Sequence, residues 1–426
     1  MKTPHAMRGV KRVSTFRGMT RRGFLARGAG LGLGLGLGLG LGLGMAAGRA
    51  RAACAGRDPG PLGPPDAHGL RLPAGARSRI VARSGEPPVA GGTWRWHAAP
   101  DGGAVFPAPR GGWLYVSNSE MPDGAGGVGV LHFDAAGRVV DAWPVLTGTR
   151  RNCAGGATPW GTWLSCEEVD DGLVWECDPF RRATGPGAGD PFPRPLPQLG
   201  RFAHEAAAVD PVNGHVYLTE DKRDGLLYRF VPDGPLRTAA GLNEHGTLEA
   251  FVAIPGMGGR GQWAPVPDPG ALTGPLRHQL RQARRFGGGE GIDWQHGRVV
   301  FVTKFDEQVW DYDTREQRLA PRYRGRPGLP LRQPDNLLAL DDGRVLVAED
   351  GDDLQIVLLG PDGAACPLVQ LVGHAGSELT GPALTPNGRR LYFSSQRGRD
   401  NDPHGGVTFE VILPRAAWGP LLPVAR

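Results

Sequence analysis

Five side chains of the kinds that bind metal ions recur at a similar place along this chain. Each lies seven to ten residues before a glycine that precedes a short apolar run. The five residues are Cys153, Glu205, Glu290, Asp335 and Glu378. A single acid at a strand end is more often a solvated surface residue than a ligand, but that explanation weakens for a group with a repeated offset. We therefore treat the five as a candidate metal-binding set.

A second set of carboxylates follows the glycine turns. If the runs on either side of each glycine pair as an antiparallel hairpin, the acids opposite the first set are Glu168, Glu220 and Glu349. Both sets then meet at one end of the hairpins. Carboxylates held this close repel one another unless cations neutralise them. Their oxygens suit calcium, and the single thiolate adds a softer site for iron or zinc.

The runs that must position these residues have the pattern of β-strands, with a polar turn, a short apolar segment and an acidic or polar end. Six runs follow the glycines Gly112, Gly161, Gly214, Gly297, Gly343 and Gly388. Their spacings are 49, 53, 83, 46 and 45 residues, with a mean of about 55, which is near the blade period of β-propellers. We predict an all-β fold, a six-bladed β-propeller, rather than a β-sandwich with chance spacing.

The longest spacing, from Gly214 to Gly297, predicts an insertion between two blades. It contains a glycine-rich stretch from Gly256 to Gly274. A helix-like pattern follows from His278 to Arg285. In a closed propeller, equivalent strand ends of successive blades converge at the central channel, so the candidate ligands are expected to meet there.

The first fifty residues have the pattern of an export signal. Arg21 and Arg22 precede a Phe-Leu pair, a Leu-Gly run extends from Leu31 to Gly44, and an A-x-A site ends at Ala52. We predict a twin-arginine signal peptide over residues 1–52 and a single propeller domain over 53–426. Half of the Leu-Gly run is glycine, which argues against a stable membrane span. The expected location is periplasmic or secreted, with the twin-arginine export machinery as a partner.

Charge and cysteine content exclude some other classes of protein. The net charge is +5, and the basic excess lies in the first fifty residues, so we expect no nucleic-acid partner. The chain has no G-x-S-x-G motif and no P-loop, which removes the usual support for a serine hydrolase or a nucleoside triphosphatase. Its five cysteines form no C-x-x-C pair. In an oxidising compartment, Cys166 and Cys177 are expected to form a disulfide.

Several of these segments resemble the PhoX-type alkaline phosphatases and their shorter relatives. The resemblance is carried by residues 152–156, 158–162, 166–168, 200–205, 333–336 and 378–382. It implies a six-bladed propeller, twin-arginine export and a phosphomonoesterase site of calcium and iron ions in the central channel. By the same resemblance, Cys153 matches an iron-binding cysteine, and Glu205, Glu290 and Glu378 match metal-binding carboxylates.

The chain departs from the family pattern at one position. The phosphatases that it resembles have an arginine two residues before the glutamate that matches Glu290, where it binds phosphate, and this chain has Gly288. Arg284 and Arg285 lie nearby in sequence, and two alternatives follow: either they bind the substrate instead, which is the assignment we make, or the phosphate contact is lost.

The leading interpretation is an exported, metal-dependent phosphatase that hydrolyses a small-molecule phosphoester, with calcium and iron as cofactors. The sequence assigns no catalytic residue. One alternative is a calcium-dependent, lactonase-like hydrolase, since propellers with axial calcium also open cyclic esters. Another is a non-catalytic propeller that metal ions stabilise. Release of phosphate from an aryl phosphate distinguishes the first interpretation from the other two.

Overall fold

Six antiparallel sheets of four or five strands follow one another along the computed structural model, which describes residues 58–183, 192–351, 353–414 and 421–424. The predicted signal peptide, residues 1–52, lies entirely outside these residues. Two N-terminal strands precede the first sheet, β1 (Leu70–Arg71) and β2 (Arg77–Arg83). Blade 1 comprises β3 (Pro100–Pro107), β4 (Trp113–Ser119), β5 (Gly126–Phe133) and β6 (Val139–Thr149). Blade 2 comprises β7 (Asn152–Ala157), β8 (Trp163–Glu167), β9 (Val174–Cys177) and β10 (Arg194–Pro195).

Blade 3 is enlarged to five strands, and a small hairpin lies within it. Its strands are β11 (His204–Asp210), β12 (His215–Glu220), β13 (Leu227–Pro232), β16 (Gly246–Ala253) and β17 (Gly261–Pro265), and the hairpin is β14 (Arg237–Thr238) with β15 (Gly241–Leu242). Blade 4 comprises β18 (Gly289–Gln295), β19 (Arg298–Thr303), β20 (Gln308–Asp313) and β21 (Arg318–Arg324).

Blades 5 and 6 each take an outer strand from the N-terminal part of the chain. Blade 5 contains β22 (Pro334–Ala339), β23 (Val345–Glu349), β24 (Gln355–Leu359), β25 (Ala365–Leu371) and β1, and blade 6 contains β26 (Leu379–Leu384), β27 (Arg390–Ser395), β28 (Val407–Ile412) and β2. The antiparallel pairing of β2 with β28 joins opposite ends of the propeller within one sheet. This pairing closes the ring and covers an edge that would otherwise be open.

The predicted all-β fold, a six-bladed propeller, is confirmed. All six glycines that were identified from spacing lie in the turn before the second strand of a blade, and this repeated arrangement excludes the sandwich. The insertion is also present, as the β14–β15 hairpin, the fifth strand β17 and the segment after it. The helix of that segment is α1 (Leu276–Gln279), so the expected helical stretch from His278 to Arg285 was wrong in its bounds. Three short 3-10 helices, Pro109–Gly111, Pro197–Leu199 and Pro403–Gly405, occupy turns.

Neighbouring blades pack through buried aromatic side chains. Tyr392 of blade 6 stacks against Tyr115 and Phe133 of blade 1, with ring centroids 5.2 and 5.1 Å apart. Tyr217 and Tyr312 join blades 3 and 4 in the same way. Large apolar surfaces buried between sheets hold the blades at fixed angles. Among the described residues, no helix is long and apolar enough to cross a membrane.

The six innermost strands approach one another closely around the axis. A side chain at Gly291 would place its Cβ 2.6 Å from the backbone nitrogen of Leu337 in the next blade. At Gly381 the same atom would lie 2.6 Å from the carbonyl oxygen of Asp101. Glycine therefore allows the backbones to converge, and residues beside these glycines are brought close together.

Candidate metal centre

The beginnings of the innermost strands converge at one end of the channel. Four sets of three ligand-type residues there have potential ligand atoms within 4.8 Å of one another. The sets are Asp101, Glu120 and Cys153; Cys153, Glu168 and Glu205; Glu205, Glu290 and Asp335; and Asp335, Asp350 and Glu378. We call these nine residues the acidic ring. Adjacent sets share a residue, so the ring is continuous through all six blades.

All five residues that were predicted from the first repeated offset lie in this ring. Cys153, Glu205, Glu290, Asp335 and Glu378 are brought together, although they are separated by up to 225 positions in sequence. Glu168, from the second set, joins them. Only the closed arrangement of blades can bring these side chains to one place.

Glu220 and Glu349 of the second set do not lie in the acidic ring. Glu220 accepts hydrogen bonds from the Leu226 amide at 3.1 Å and the Tyr228 hydroxyl at 3.0 Å, and forms an ion pair with Arg277 at 2.9 Å. Glu349 accepts hydrogen bonds from the amides of Arg332 and Gln355, at 2.7 and 3.1 Å. Both carboxylates are used within their own blades.

Glu220 and Glu349 lie outside the acidic ring because successive side chains along a strand point to opposite faces. In blades 2 and 5 an acidic pair ends the second strand, Glu167 with Glu168 and Glu349 with Asp350. Glu167 accepts two backbone hydrogen bonds, from Arg150 and Leu173, as Glu349 does from its own neighbours. The second acid of each pair enters the acidic ring. Asp350, and not Glu349, is therefore the channel residue of blade 5.

Sequence reasoning also missed Asp101 and Glu120 of blade 1. Asp101 lies eleven residues before Gly112, because the 3-10 helix Pro109–Gly111 lengthens the turn. Glu120 directly follows β4, as Glu168 directly follows β8. Glu120, Asp350 and Lys304 each directly follow the second strand of their blade. This shared position could have identified all three from the sequence.

Glu378 enters the acidic ring from a position in its blade that differs from the position of Cys153 in blade 2. The Glu168 amide donates to the carbonyl of Arg151, two residues before Cys153, and the Gln396 amide donates in the same way to Glu378 itself. Thr380 therefore occupies the place in blade 6 that Cys153 has in blade 2. The Glu378 carboxylate also accepts a hydrogen bond from Arg397 at 2.7 Å.

Burial and crowding both favour protons on the ring. Burial, followed by repulsion from Glu290 and Asp335, raises the pKa of Glu205 well above its usual value. Burial raises the pKa of Glu168 to about 8, and repulsion from Glu120 adds to the shift. The pKa of Asp335 rises to about 6 because burial outweighs the opposing effect of Lys304. A bound cation would remove this cost and keep the carboxylates ionised.

Cys153 lies at the junction of two of the four sets. Its Sγ is 3.2 Å from Oε1 of Glu205 and 3.7 Å from Oδ2 of Asp101. Burial raises the pKa of the thiol well above its usual value, and the neighbouring Asp101 and Glu205 add to the shift. A thiol in such surroundings becomes a thiolate only beside a strong positive charge.

The donor set fits metal ions. Glu290 is 2% exposed, and its Oε1 accepts no hydrogen bond, although the Lys304 ammonium lies 3.5 Å from it. A buried carboxylate oxygen without a partner is costly unless an ion or a water satisfies it. Hard oxygens on both sides of one thiol match a mixed site, with calcium at carboxylates and a transition metal near sulfur.

Arg284 and Arg285 lie away from the acidic ring. Arg284 stacks on Phe286 and Trp310, with its guanidinium carbon 5.3 and 4.7 Å from the ring centroids. Arg285 is exposed and donates to the backbone carbonyls of Arg277 and Leu280. The structure therefore uses both arginines to hold the insertion, so we leave them out of the proposed site.

The backbone at Gly288 disfavours any side chain. Its φ is +69°, and a Cβ there would lie 2.9 Å from the ring of Phe305. An arginine at this position would require strain and a shift of that ring.

The expected disulfide between Cys166 and Cys177 is absent, because both are free thiols buried in blade 2. Cys366 is disulfide-bonded.

The other end of the channel differs in character. A cavity of about 390 Å³ there has mainly apolar walls, which include Phe106, Trp163, Leu337, Pro382 and Val424. The acidic ring thus lies at the end where the innermost strands begin, and the cavity at the other end is mainly apolar.

The comparisons with known proteins agree with this geometry. The chain matches the family model described as alkaline phosphatase PhoX over residues 125–187 and 171–309. These segments include the glutamate and cysteine positions of blades 2 to 4. The resemblance to the PhoX-type family is confirmed. A search of curated proteins found no match.

Solved structures extend the likeness to the fold. The PhoX of Pseudomonas fluorescens in complex with vanadate, a transition state analogue, is 18% identical, with a TM-score of 0.66 over 86% of this chain and 99% of that one. A gluconolactonase from Xanthomonas campestris is 13% identical, with a TM-score of 0.41 over 83% of this chain and 98% of that one. Regucalcin from Agrobacterium tumefaciens is 14% identical, with a TM-score of 0.43 over 82% and 98%. The PhoX structure shares the propeller architecture, and the two weaker likenesses carry no argument about this site.

Proposed function

We propose that this protein is a metal-dependent phosphatase that hydrolyses small-molecule phosphomonoesters at the acidic ring. The observation that carries the proposal is the convergence of eight carboxylates and one thiol at one end of a closed channel, in a chain with PhoX-type sequence segments. We propose calcium and iron as the ions, which the carboxylates and Cys153 would hold respectively. The fold similarity to a PhoX that binds vanadate is consistent with this assignment.

Each part of the site would have a separate task. Bound ions would supply positive charge that polarises the phosphoryl oxygens and activates the attacking oxygen. Cys153 and Glu205, fixed on rigid innermost strands, would hold their ligand atoms in place without reorganisation, together with Glu168. The glutamates Glu167 and Glu349 keep the second-strand ends in register through backbone hydrogen bonds, and so position Glu168 and Asp350.

Hydrolysis of p-nitrophenyl phosphate by the purified protein tests the proposal. We expect release of inorganic phosphate that is abolished by a chelator and restored by calcium with iron. Glu205→Gln should lower kcat at least tenfold and reduce bound metal, because it removes one charged ligand. Glu316→Gln is the matched control, since Glu316 lies on blade 4 outside the ring and pairs with Arg260 at the surface.

Other outcomes separate the alternatives. Hydrolysis of a lactone without release of phosphate would favour a lactonase-like enzyme. Full metal content with neither activity would favour a metal-stabilised binding propeller.

We also propose export by the twin-arginine route to the periplasm or the medium. Replacement of Arg21 and Arg22 by lysine should retain the protein in the cytoplasm, and unchanged export would contradict this.

A further inference from the structure

One of the six positions that follow the second strands carries a positive charge. The residues at these positions are Glu120, Glu168, Asp221, Lys304, Asp350 and Gln396. Each donates its backbone N–H to a residue at the start of the innermost strand of its own blade, at 2.8 to 3.2 Å. They are therefore structurally equivalent. Four of the six are acids, and Lys304 of blade 4 replaces an acid with an ammonium group.

The Lys304 ammonium lies among three carboxylates of the acidic ring. Its Nζ is 2.9 Å from Oδ2 of Asp350, 3.3 Å from Oδ2 of Asp335 and 3.5 Å from Oε1 of Glu290. Its side chain is 23% exposed. An ammonium group has three donors and a compact charge, so it can compensate several carboxylates at one point.

These carboxylates belong to two of the four candidate ligand sets. Glu290 and Asp335 form one set with Glu205, and Asp335 and Asp350 form the other with Glu378. Arg397 also donates to Glu378, at 2.7 Å. The blade 4 and blade 5 side of the ring is therefore already supplied with positive charge by the chain itself. A divalent ion and an ammonium group cannot share the same small space between like ligands, because they repel each other.

The Cys153 side of the ring has a different balance of positive and negative side chains. Cys153, Glu168 and Glu205 form a set in which, among the described residues, neither carboxylate forms an ion pair with a lysine or an arginine. Arg151 pairs with Glu120 at the edge of the adjacent set, 2.8 Å away. A divalent ion would compensate more repulsion here than on the Lys304 side.

We propose that Lys304 is a resident cation that takes the place of a divalent metal ion at Glu290, Asp335 and Asp350, so that metal ions bind at the Cys153 side of the ring. Lys304 then acts as a positioning residue that fixes how many ions the ring accepts. The inference concerns the metal complement and does not depend on which ester the protein hydrolyses.

Metal stoichiometry of variants tests this. Lys304→Met keeps the length of the side chain and removes its charge. After dialysis against calcium, we expect this variant to hold one more calcium ion per chain than the wild type, and to show a larger fall of Tm when a chelator is added. Lys304→Arg keeps the charge and should match the wild type. Lys222→Met is the matched control, because Lys222 pairs with the exposed Asp170.

Asp350→Asn gives an independent measurement in protein that retains Lys304. We expect its ion count to equal that of the wild type. A loss of one ion in Asp350→Asn would overturn the proposal, even if Lys304→Met did not fold. An unchanged or lower calcium count in folded Lys304→Met would also overturn it. Wild-type protein without any bound ion would instead contradict the metal centre proposed above, and the gain of calcium in Lys304→Met would still be measurable.

Discussion

At the scale of single residues, Cys153 differs from the other described free thiols by its neighbours. Cys166 and Cys177 are buried beside apolar side chains such as Leu164 and Trp163. Cys153 instead lies within 4 Å of two carboxylates. Soft thiolate ligands favour iron or zinc over calcium, so this side chain determines where in the ring a transition metal can bind.

Cys153→Ser should therefore lose transition metal selectively. Serine is close in size but supplies a weak, hard ligand, so we expect iron or zinc content to fall at least tenfold while part of the calcium is retained. Elemental analysis of folded protein measures both. Cys166→Ser is the control and should keep its metals. Full iron or zinc content in Cys153→Ser would show that the thiol is structural.

The residue scale also shows what sequence spacing could and could not predict. The offset from the glycine turns identified Cys153, Glu205, Glu290 and Asp335 because turn length is nearly constant in blades 2 to 5. It missed Asp101, whose turn is longer. It selected Glu220 and Glu349 because an offset does not show on which face of a strand a side chain lies, and a shift of one residue reverses that face.

At the scale of elements, the six hairpins were predictable from local signals, and their closure was not. Glycine turns and apolar runs specify each second strand within a few residues of sequence. The pairing of β2 with β28, in contrast, joins residues more than 300 positions apart, such as Arg79 and Glu410, which form an ion pair at 2.9 Å. No local pattern distinguishes such an outer strand from an ordinary loop segment.

A prediction at this scale concerns the carboxylate that organises the end of β23. The Glu349 carboxylate accepts hydrogen bonds from the backbone amides of Arg332 and Gln355. In Glu349→Gln, the side-chain NH₂ would face one of these two N–H groups and leave it without an acceptor. We expect a loss of about 1–3 kcal/mol in the free energy of unfolding, the usual cost of a buried polar group without a partner. Denaturant unfolding measures this loss.

The bound metal should be unchanged in Glu349→Gln, because Glu349 lies outside the acidic ring. Asp353→Asn, at an exposed position of the same loop, is the control and should unfold like the wild type. A variant that kept its stability but lost metal would place Glu349 in the metal centre after all.

At the scale of the whole molecule, the propeller architecture brings together carboxylates that repel one another. Six blades bring buried carboxylates to one end of the axis, and the apolar packing between blades must hold them there. Without ions, burial and mutual repulsion keep protons on these groups at pH values where an unfolded chain would release them. The pKa of Asp335 is about 6 against an ordinary 3.8, and that of Glu168 is about 8 against 4.5.

The metal-free protein should therefore lose stability as the pH rises. Between about pH 4 and pH 8 the folded state binds more protons than the unfolded state, so the free energy of unfolding falls with increasing pH. Ions bound at the proposed metal centre would replace those protons and stabilise the folded state by mass action. We expect the Tm of chelated protein to be lower at pH 8 than at pH 5, and the gap between calcium-loaded and chelated protein to widen with pH. Glu205→Gln, with one charge fewer, should narrow that gap. A gap of equal size at both pH values would mean that the ring carboxylates do not couple metal binding to folding.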